Sequence, residues 1–234
     1  MTDWPRRRRA VLRDAVGVGV ATGAYGLSFG AIGVAGGLTV AQTCATSVLM
    51  FTGASQFALV GVLAAGGGTV SAAVTAVLLG ARNALYGLRL SSLLQVTGLR
   101  KAVGAQLVID ESTAMCVAHE DDPSARRLAF WATGLAVFVL WNLATLAGAL
   151  AGTALGDPQA LGLDAAVPAA FLALLWPRLA QRAARLVAVG AAAVALALTP
   201  VAPVGVPVMA AAAVAVLAGV RWRDALLPGP GAAS

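Results

Sequence analysis

Long apolar runs make up most of the chain, interrupted at intervals by charge, glycine or proline. Between Asp14 and Arg82 no side chain is charged, a neutral stretch of 67 residues from 15 to 81. A helix crosses a bilayer with about 20 mostly apolar residues, so this stretch alone holds two spans and begins a third. The runs do not alternate apolar and polar positions as membrane barrel strands do. Inside hydrocarbon the backbone must satisfy its own polar groups, which selects helices. The punctuation predicts spans near 15–36, 39–65, 69–94, 103–118, 128–152, 165–177, 186–200 and 205–221. The expected fold class is all-α, a polytopic transmembrane bundle of about seven to eight spans with broken or re-entrant helices where a run is short or interrupted. Residues 1–14 read as a basic arm, 15–221 as one transmembrane transporter domain, and 222–234 as a short Pro/Gly/Ala-rich tail expected to be disordered.

Composition agrees: 59% of residues are hydrophobic and 11% charged, against about 25% charged in soluble domains. The net charge of +6 does not point to nucleic acid, because the basic residues sit in short segments between apolar runs, where they report topology. Arg6, Arg7, Arg8, Arg9 and Arg13 put the N-terminus in the cytoplasm. Apolarity continues well past the length of a signal-peptide core, so the first run is expected to be an uncleaved span. With eight crossings, Arg126 and Arg127, then Arg178, Arg182 and Arg185, then Arg221 and Arg223 also fall inside, and the C-terminus is cytoplasmic. The 153–164 loop, with Asp157 and Asp164, and the neutral turn from Pro200 to Pro207 fall outside. Arg100 and Lys101 alone disagree with that layout.

Several features carry candidate chemistry. Glycines 19, 23, 26, 30, 33 and 37 repeat at the heptad spacing and share one face; small residues there allow close approach to a neighbouring helix or to a ligand. Gly53, Ser55 and Gln56 interrupt the second run near its middle; either Ser55 and Gln56 hydrogen-bond to another helix, or a helix broken there frees backbone groups for a ligand. Arg82, Tyr86 and Arg89 are spaced i, i+4, i+7 and share a face that must look into the bundle. A mid-membrane arginine costs about 2.5–3.5 kcal/mol on insertion scales. Two roles fit Arg82: an ion pair with an acid of another span, or a bidentate grip on a substrate carboxylate. Tyr86 on the same face suits a pocket for an apolar side chain. Asp110 and Glu111 sit in an apolar setting and point about 100° apart on a helix, so one suits Arg82 and the other a water-filled path or proton movement; if 103–118 lies at the interface instead, both are simply solvated. Trp141, Thr145, Gly148 and Gly152 read as a packing stripe, and His119 as a solvated loop residue. Cys44 and Cys116 give neither a disulfide framework nor metal spacing. No Gly-x-Ser-x-Gly elbow, phosphate loop or HExxH is present, so neither an enzyme, a cofactor nor a metal is expected.

The stretch Phe51-Thr52-Gly53-Ala54-Ser55-Gln56-Phe57 resembles the F-x-G-x-S-Q-F signature of the AzlC family of branched-chain amino acid permeases. Ala81-Arg82-Asn83-Ala84-Leu85-Tyr86-Gly87-Leu88 is similar to that family's second signature, and Asp110-Glu111-Ser112 to its Asp-Glu-Ser/Thr element. Order and spacing agree, and the likeness extends over about residues 15–220, including Asp157-Pro158 and Gly162-Leu163-Asp164. Gly80, Asn83 and Arg89 depart from the residues usual at their positions, which are Asn, His and Ser. The resemblance implies a cytoplasmic-membrane exporter of Leu, Ile, Val and sometimes Met. It further implies proton coupling and a small hydrophobic partner of the AzlD type. Carried onto this chain, Arg82, Tyr86, Gly53, Ser55 and Gln56 are the expected substrate-binding residues, and Asp110 and Glu111 the proton-coupling ones.

Overall fold

The structure is a computed structural model; it describes residues 4–154, 172, 175–203 and 205–221. Among them the chain is all-helical: α1 (Trp4–Ala35), α2 (Val40–Leu49), α3 (Ala54–Ala64), α4 (Thr69–Leu94), α5 (Gly98–Gln106), α6 (Asp110–Val117) and α7 (Pro123–Ala154). A 3-10 turn at Trp176–Ala180 precedes α8 (Arg182–Leu198) and α9 (Val206–Arg221). Most of the expected 153–164 loop and 165–177 span lies outside the described residues, as does the 222–234 tail.

Two helices among the described residues, α1 and α7, are both long and apolar enough to cross a membrane. At 1.5 Å per residue their 32 residues each run about 48 Å. The arginine arm is not separate from the first span; it forms the opening turns of α1. The two helices pack in parallel, since partners rise together in number: Gly19 faces Ala136, Gly23 faces Leu140, and Gly30 faces Thr145. A Cβ added at Gly23 would sit 2.7 Å from that of Leu140, and one at Gly26 would sit 2.5 Å from the Trp141 carbonyl oxygen. Gly148 and Gly152 return the fit against Leu27 and Ala31. The neighbour that the glycine seam requires is therefore α7 of the same chain, and the expected packing stripe on α7 is what meets it. Farther along, Gly33 abuts Thr43 of α2, and Gly37 ends the seam at φ +91°.

The parallel pair is tied at its start. Arg7 Nη1 donates to Asp122 Oδ2 (2.9 Å), and Asp122 Oδ1 accepts from the Ser124 and Ala125 amides that open α7. The Ala125 amide and then Arg7 hold the Asp122 carboxyl below its usual range.

The expected spans 39–65 and 103–118 are not continuous helices. Each is a pair of half-length helices of 8 to 11 residues, about 12–16 Å each, or half a hydrocarbon core of about 30 Å. In the first pair, α2 doubles back along α1. The Ser47 hydroxyl reaches Thr145 (3.2 Å), and the chain turns at Met50–Gly53 with Gly53 at φ +61°. Then α3 returns, bringing Val60 and Ala64 beside Gly36. Both ends of this hairpin thus lie at the C-terminal end of α1. Next, α4 runs antiparallel to α1, from that end to the arginine end, where Arg89 donates to Glu120 (2.5 Å). In the second pair, α5 climbs past Trp131 to Leu107, which rests on Gly134. The chain turns at Leu107–Ile109, and α6 descends to the loop that carries Asp122. Both ends of this second hairpin lie at the arginine end. Arg100 and Lys101 therefore sit beside the basic arm, where the eight-crossing layout had put them opposite.

The same device closes both turns. Gln56 Oε1 accepts from the Gly53 amide (3.2 Å), and Ser112 Oγ accepts from the Ile109 amide (3.1 Å). A long helix followed by a half-length hairpin thus occurs twice, α1–α3 and α4–α6, with the direction reversed. Helices α8 and α9 pack mainly on each other. Gly205, in the turn between them, sits against Ser71 and Val62 at the end opposite the arginines.

Candidate functional site

The two hairpin tips meet in the middle of the molecule and enclose a cavity of about 360 Å³. That volume lies within the range of about 300–1,000 Å³ typical of small-molecule sites. From the first hairpin come Phe51, Thr52, Gly53, Ala54 and Phe57; from the second, Ile109, Asp110 and Glu111. Helix α4 adds Leu79 and Arg82, α1 adds Thr22 and Tyr25, and α7 adds Val137 and Trp141. The apolar wall is ordered by ring contacts: Phe57 meets Phe29 edge-on (5.6 Å between centroids) and Trp141 likewise (6.2 Å).

The polar groups fall into two poles. Helices α3 and α6 both begin at the cavity, so both present first-turn amides without intrahelical acceptors and the positive end of a helix dipole. The first turn of α6 holds Asp110 and Glu111, which offset its dipole, whereas α3 has no acid in its first turn. Arg82 adds a cation beside the α3 start. It meets Asp110 at 3.0 Å, and about a third of each side chain stays accessible (34% and 29%), so a ligand reaches the pair. Glu111 turns instead to α1, accepting from the Thr22 hydroxyl at 3.5 Å, as the 100° offset between neighbours requires. Thr52 Oγ1, Arg82 Nε and Trp141 Nε1 are buried without a hydrogen-bond partner among the described residues. At the cavity these groups are placed to bond water or a ligand, although other buried polar atoms away from it also lack a partner among the described residues.

Of the expected site residues, Gly53, Arg82, Asp110 and Glu111 come together at the cavity. Gln56 is wholly buried behind it: besides closing on Gly53, its amide donates to the Thr46 and Ser47 carbonyls (3.3 Å each). Ser55 is buried beside Gly80, and Tyr86, one turn from Arg82, packs on the apolar core. Neither is among the residues lining the cavity. Sequence reasoning missed Thr22 and Tyr25, which lie between the seam glycines three residues apart and so share the face next to the seam. It read Trp141 only as packing. His119 Nδ1 donates locally to the Met115 carbonyl (2.9 Å). Among the described residues no three His, Cys, Asp or Glu side chains gather as a metal site.

Apolar helices broken at mid-length around a cavity with a positive and a negative pole are the arrangement that builds binding sites in many membrane transport proteins. More narrowly, the chain belongs to the AzlC family: the family model described as AzlC protein matches residues 17–155, from the second third of α1 to the end of α7. It is a family of branched-chain amino acid transport proteins, not of enzymes, and its members typically pair with AzlD. The match takes in both hairpins and every cavity-lining residue named above but not Leu175, which also lines the cavity, and ends before Asp157-Pro158 and Gly162–Asp164. No curated protein and no solved structure matches the chain.

Proposed function

We propose that the chain exports branched-chain amino acids, Leu, Ile and Val with Met beside them, across the cytoplasmic membrane, coupled to protons and together with a small AzlD-type subunit. The observation that carries this reading is the two-signed cavity with an apolar wall. A free amino acid bears a carboxylate and an ammonium a few bonds apart and, in this class, a hydrocarbon side chain. The carboxylate meets Arg82 and the amides that open α3; the ammonium meets Asp110 or Glu111; the side chain lies along Phe57, Val137 and Trp141.

Binding then exchanges one ion pair for two. Removing one partner strands the other charge, at a cost below the roughly 3–5 kcal/mol of a fully buried pair because about a third of each side chain is accessible. A zwitterion inserted between Arg82 and Asp110 strands neither, whereas a simple anion or cation strands one. This gives selectivity for zwitterions, and the apolar wall selects among them. The reversed repeat supports alternating exposure: one hairpin enters from each face, and rocking one repeat against the other opens the midplane site to either side. Glu111, held by Thr22 in the same cavity, is the carboxyl that exchanges the coupling proton. In this layout α2–α3 and α5–α6 are re-entrant, both termini are cytoplasmic, and Arg100 and Lys101 join the other basic residues inside, as the positive-inside rule asks. Assembly alone is the weaker reading, since the glycine seam that would serve it is taken up by α7.

The test is efflux of valine, leucine, isoleucine and methionine from preloaded cells carrying the chain with its small partner, the chain alone, or neither. Faster efflux of these four than of charged amino acids, only with both subunits, is expected. Efflux equal to that of cells with neither subunit contradicts the proposal.

A further inference from the structure

A second cavity, of about 590 Å³, opens at the arginine end between the end of α4, the start of α5 and the start of α7. Its lining has two parts. One is cationic: Arg100 and Arg127, both exposed, neither making an ion pair or hydrogen bond among the described residues. Their neighbours at this end are engaged, Arg7 with Asp122 and Arg126 with the Glu120 carbonyl. The other part is apolar: Leu94, Val96, Leu99, Val103 and the Trp131 indole, which lies flush against Gly104. Leu99 is 80% exposed and Val103 44%.

We propose that this cavity binds an anionic phospholipid of the inner leaflet, with its phosphate between Arg100 and Arg127 and its acyl chains along Leu99 and Val103. Three observations argue for this occupant. Two guanidiniums facing one cavity without an acid between them repel each other, and a phosphate removes that repulsion through bidentate contacts. A free phosphate accounts for the arginines but leaves the adjoining leucine and valine surface uncovered, whereas a lipid covers both. The indole at the boundary between the two parts is the side chain favoured at the headgroup level. First-turn amides of α5, which lack a side-chain cap, add donors at the same place. Basic cavities between membrane helices at the cytoplasmic face suit anionic headgroups. The cavity is distinct from the central one, sharing no lining residue with it, and the proposal requires only that the chain lies in a bilayer, not that it carries an amino acid.

The test is thermal unfolding of the full-length detergent-purified chain, titrated with phosphatidylglycerol, with phosphatidylcholine of the same acyl chains, or with inorganic phosphate. Phosphatidylglycerol should raise Tm saturably and the other two should not. R100Q and R127Q should each raise the half-saturating lipid concentration about fivefold, and the double variant about 25-fold, from the contribution of one basic residue near an anionic surface. R8Q, an exposed arginine of the same end outside the cavity, should titrate as the parent. R100K/R127K should fall between the parent and the double glutamine variant, since charge is kept but the bidentate fork is lost. If the double glutamine variant does not fold, the single variants carry the test. Equal stabilisation by phosphatidylcholine, a full effect of inorganic phosphate, or unchanged titration of the glutamine variants overturns the proposal. So does a double variant that loses only its association with the small partner subunit.

Discussion

Gln56 is fully buried, and its amide joins three backbone groups at the first hairpin tip: the Gly53 N–H and the Thr46 and Ser47 carbonyls. The two carbonyls belong to the last turn of α2, where Thr46 O also accepts from the Met50 amide and Ser47 O depends on Gln56, so one side chain staples the end of α2 to the start of α3. Gln56→Leu keeps the volume and strands two of the three, the Gly53 N–H and the Ser47 carbonyl, since Thr46 O still accepts from the Met50 amide. It should cost about 2–4 kcal/mol, since buried groups left unsatisfied cost about 1–3 kcal/mol each and relax in part. The Tm of the purified protein measures this; an unchanged Tm would refute the stapling role. The signature containing Gln56 was legible in the sequence, but its division of labour was not. A buried glutamine in an apolar run signals a hydrogen-bonded site without saying whether ligand or backbone is the partner. Arg82, Asp110 and Glu111 were easier to read, because a charge inside such a run is costly wherever it points. Thr22 and Tyr25 gave no signal, being ordinary residues in a helix whose glycines dominate the pattern.

At the scale of elements, the glycine seam sets the most extensive helix contact among the described residues, and its heptad spacing was enough to predict one shared face. That the partner is α7, 117 residues on at Gly19 and Gly23, is a tertiary fact that local periodicity does not contain. Gly30→Ala drives a Cβ into the Thr145 carbonyl oxygen, a backbone atom that cannot move alone. It should lower the yield of folded protein severalfold. Gly17→Ala meets nothing within 4 Å and should leave stability equal or raise it by up to about 1 kcal/mol through helix propensity. Membrane-level protein and Tm compare the two; equal behaviour would remove the parallel α1–α7 contact from the account. The hairpins were half legible. Gly53 marked the first break, as φ +61° requires a residue without a Cβ. The second break has no glycine or proline. Its marks were the acids of the first α6 turn and Ser112 three residues past Ile109, a helix-start pattern masked by the apolar run around it.

For the whole molecule, the two hairpins change the parity of the topology. Eight full crossings set Arg100 and Lys101 against the basic arm; a chain that turns back at residues 50–53 and 107–109 brings them to its side. In a background with Cys44 and Cys116 replaced, Lys101→Cys should react with an impermeant thiol reagent from the same side as Arg8→Cys, in intact cells and inverted vesicles alike. Labelling from opposite sides would restore the continuous crossings. Such a topology matters to function because it brings two half-helix starts to one cavity, and with them the Arg82–Asp110 pair at 3.0 Å. If that pair exists to be opened by a zwitterion, it is needed for transport and not merely for charge balance. Arg82→Ala with Asp110→Asn leaves no stranded charge, so the double variant should fold and recover most of the Tm lost by Arg82→Ala alone. Efflux of valine and leucine, normalised to membrane-level protein and measured with the small partner present, is the direct test. The account predicts a folded double variant whose efflux falls to the background of cells lacking the chain; near-normal efflux would reduce Arg82 and Asp110 to a structural pair and contradict it.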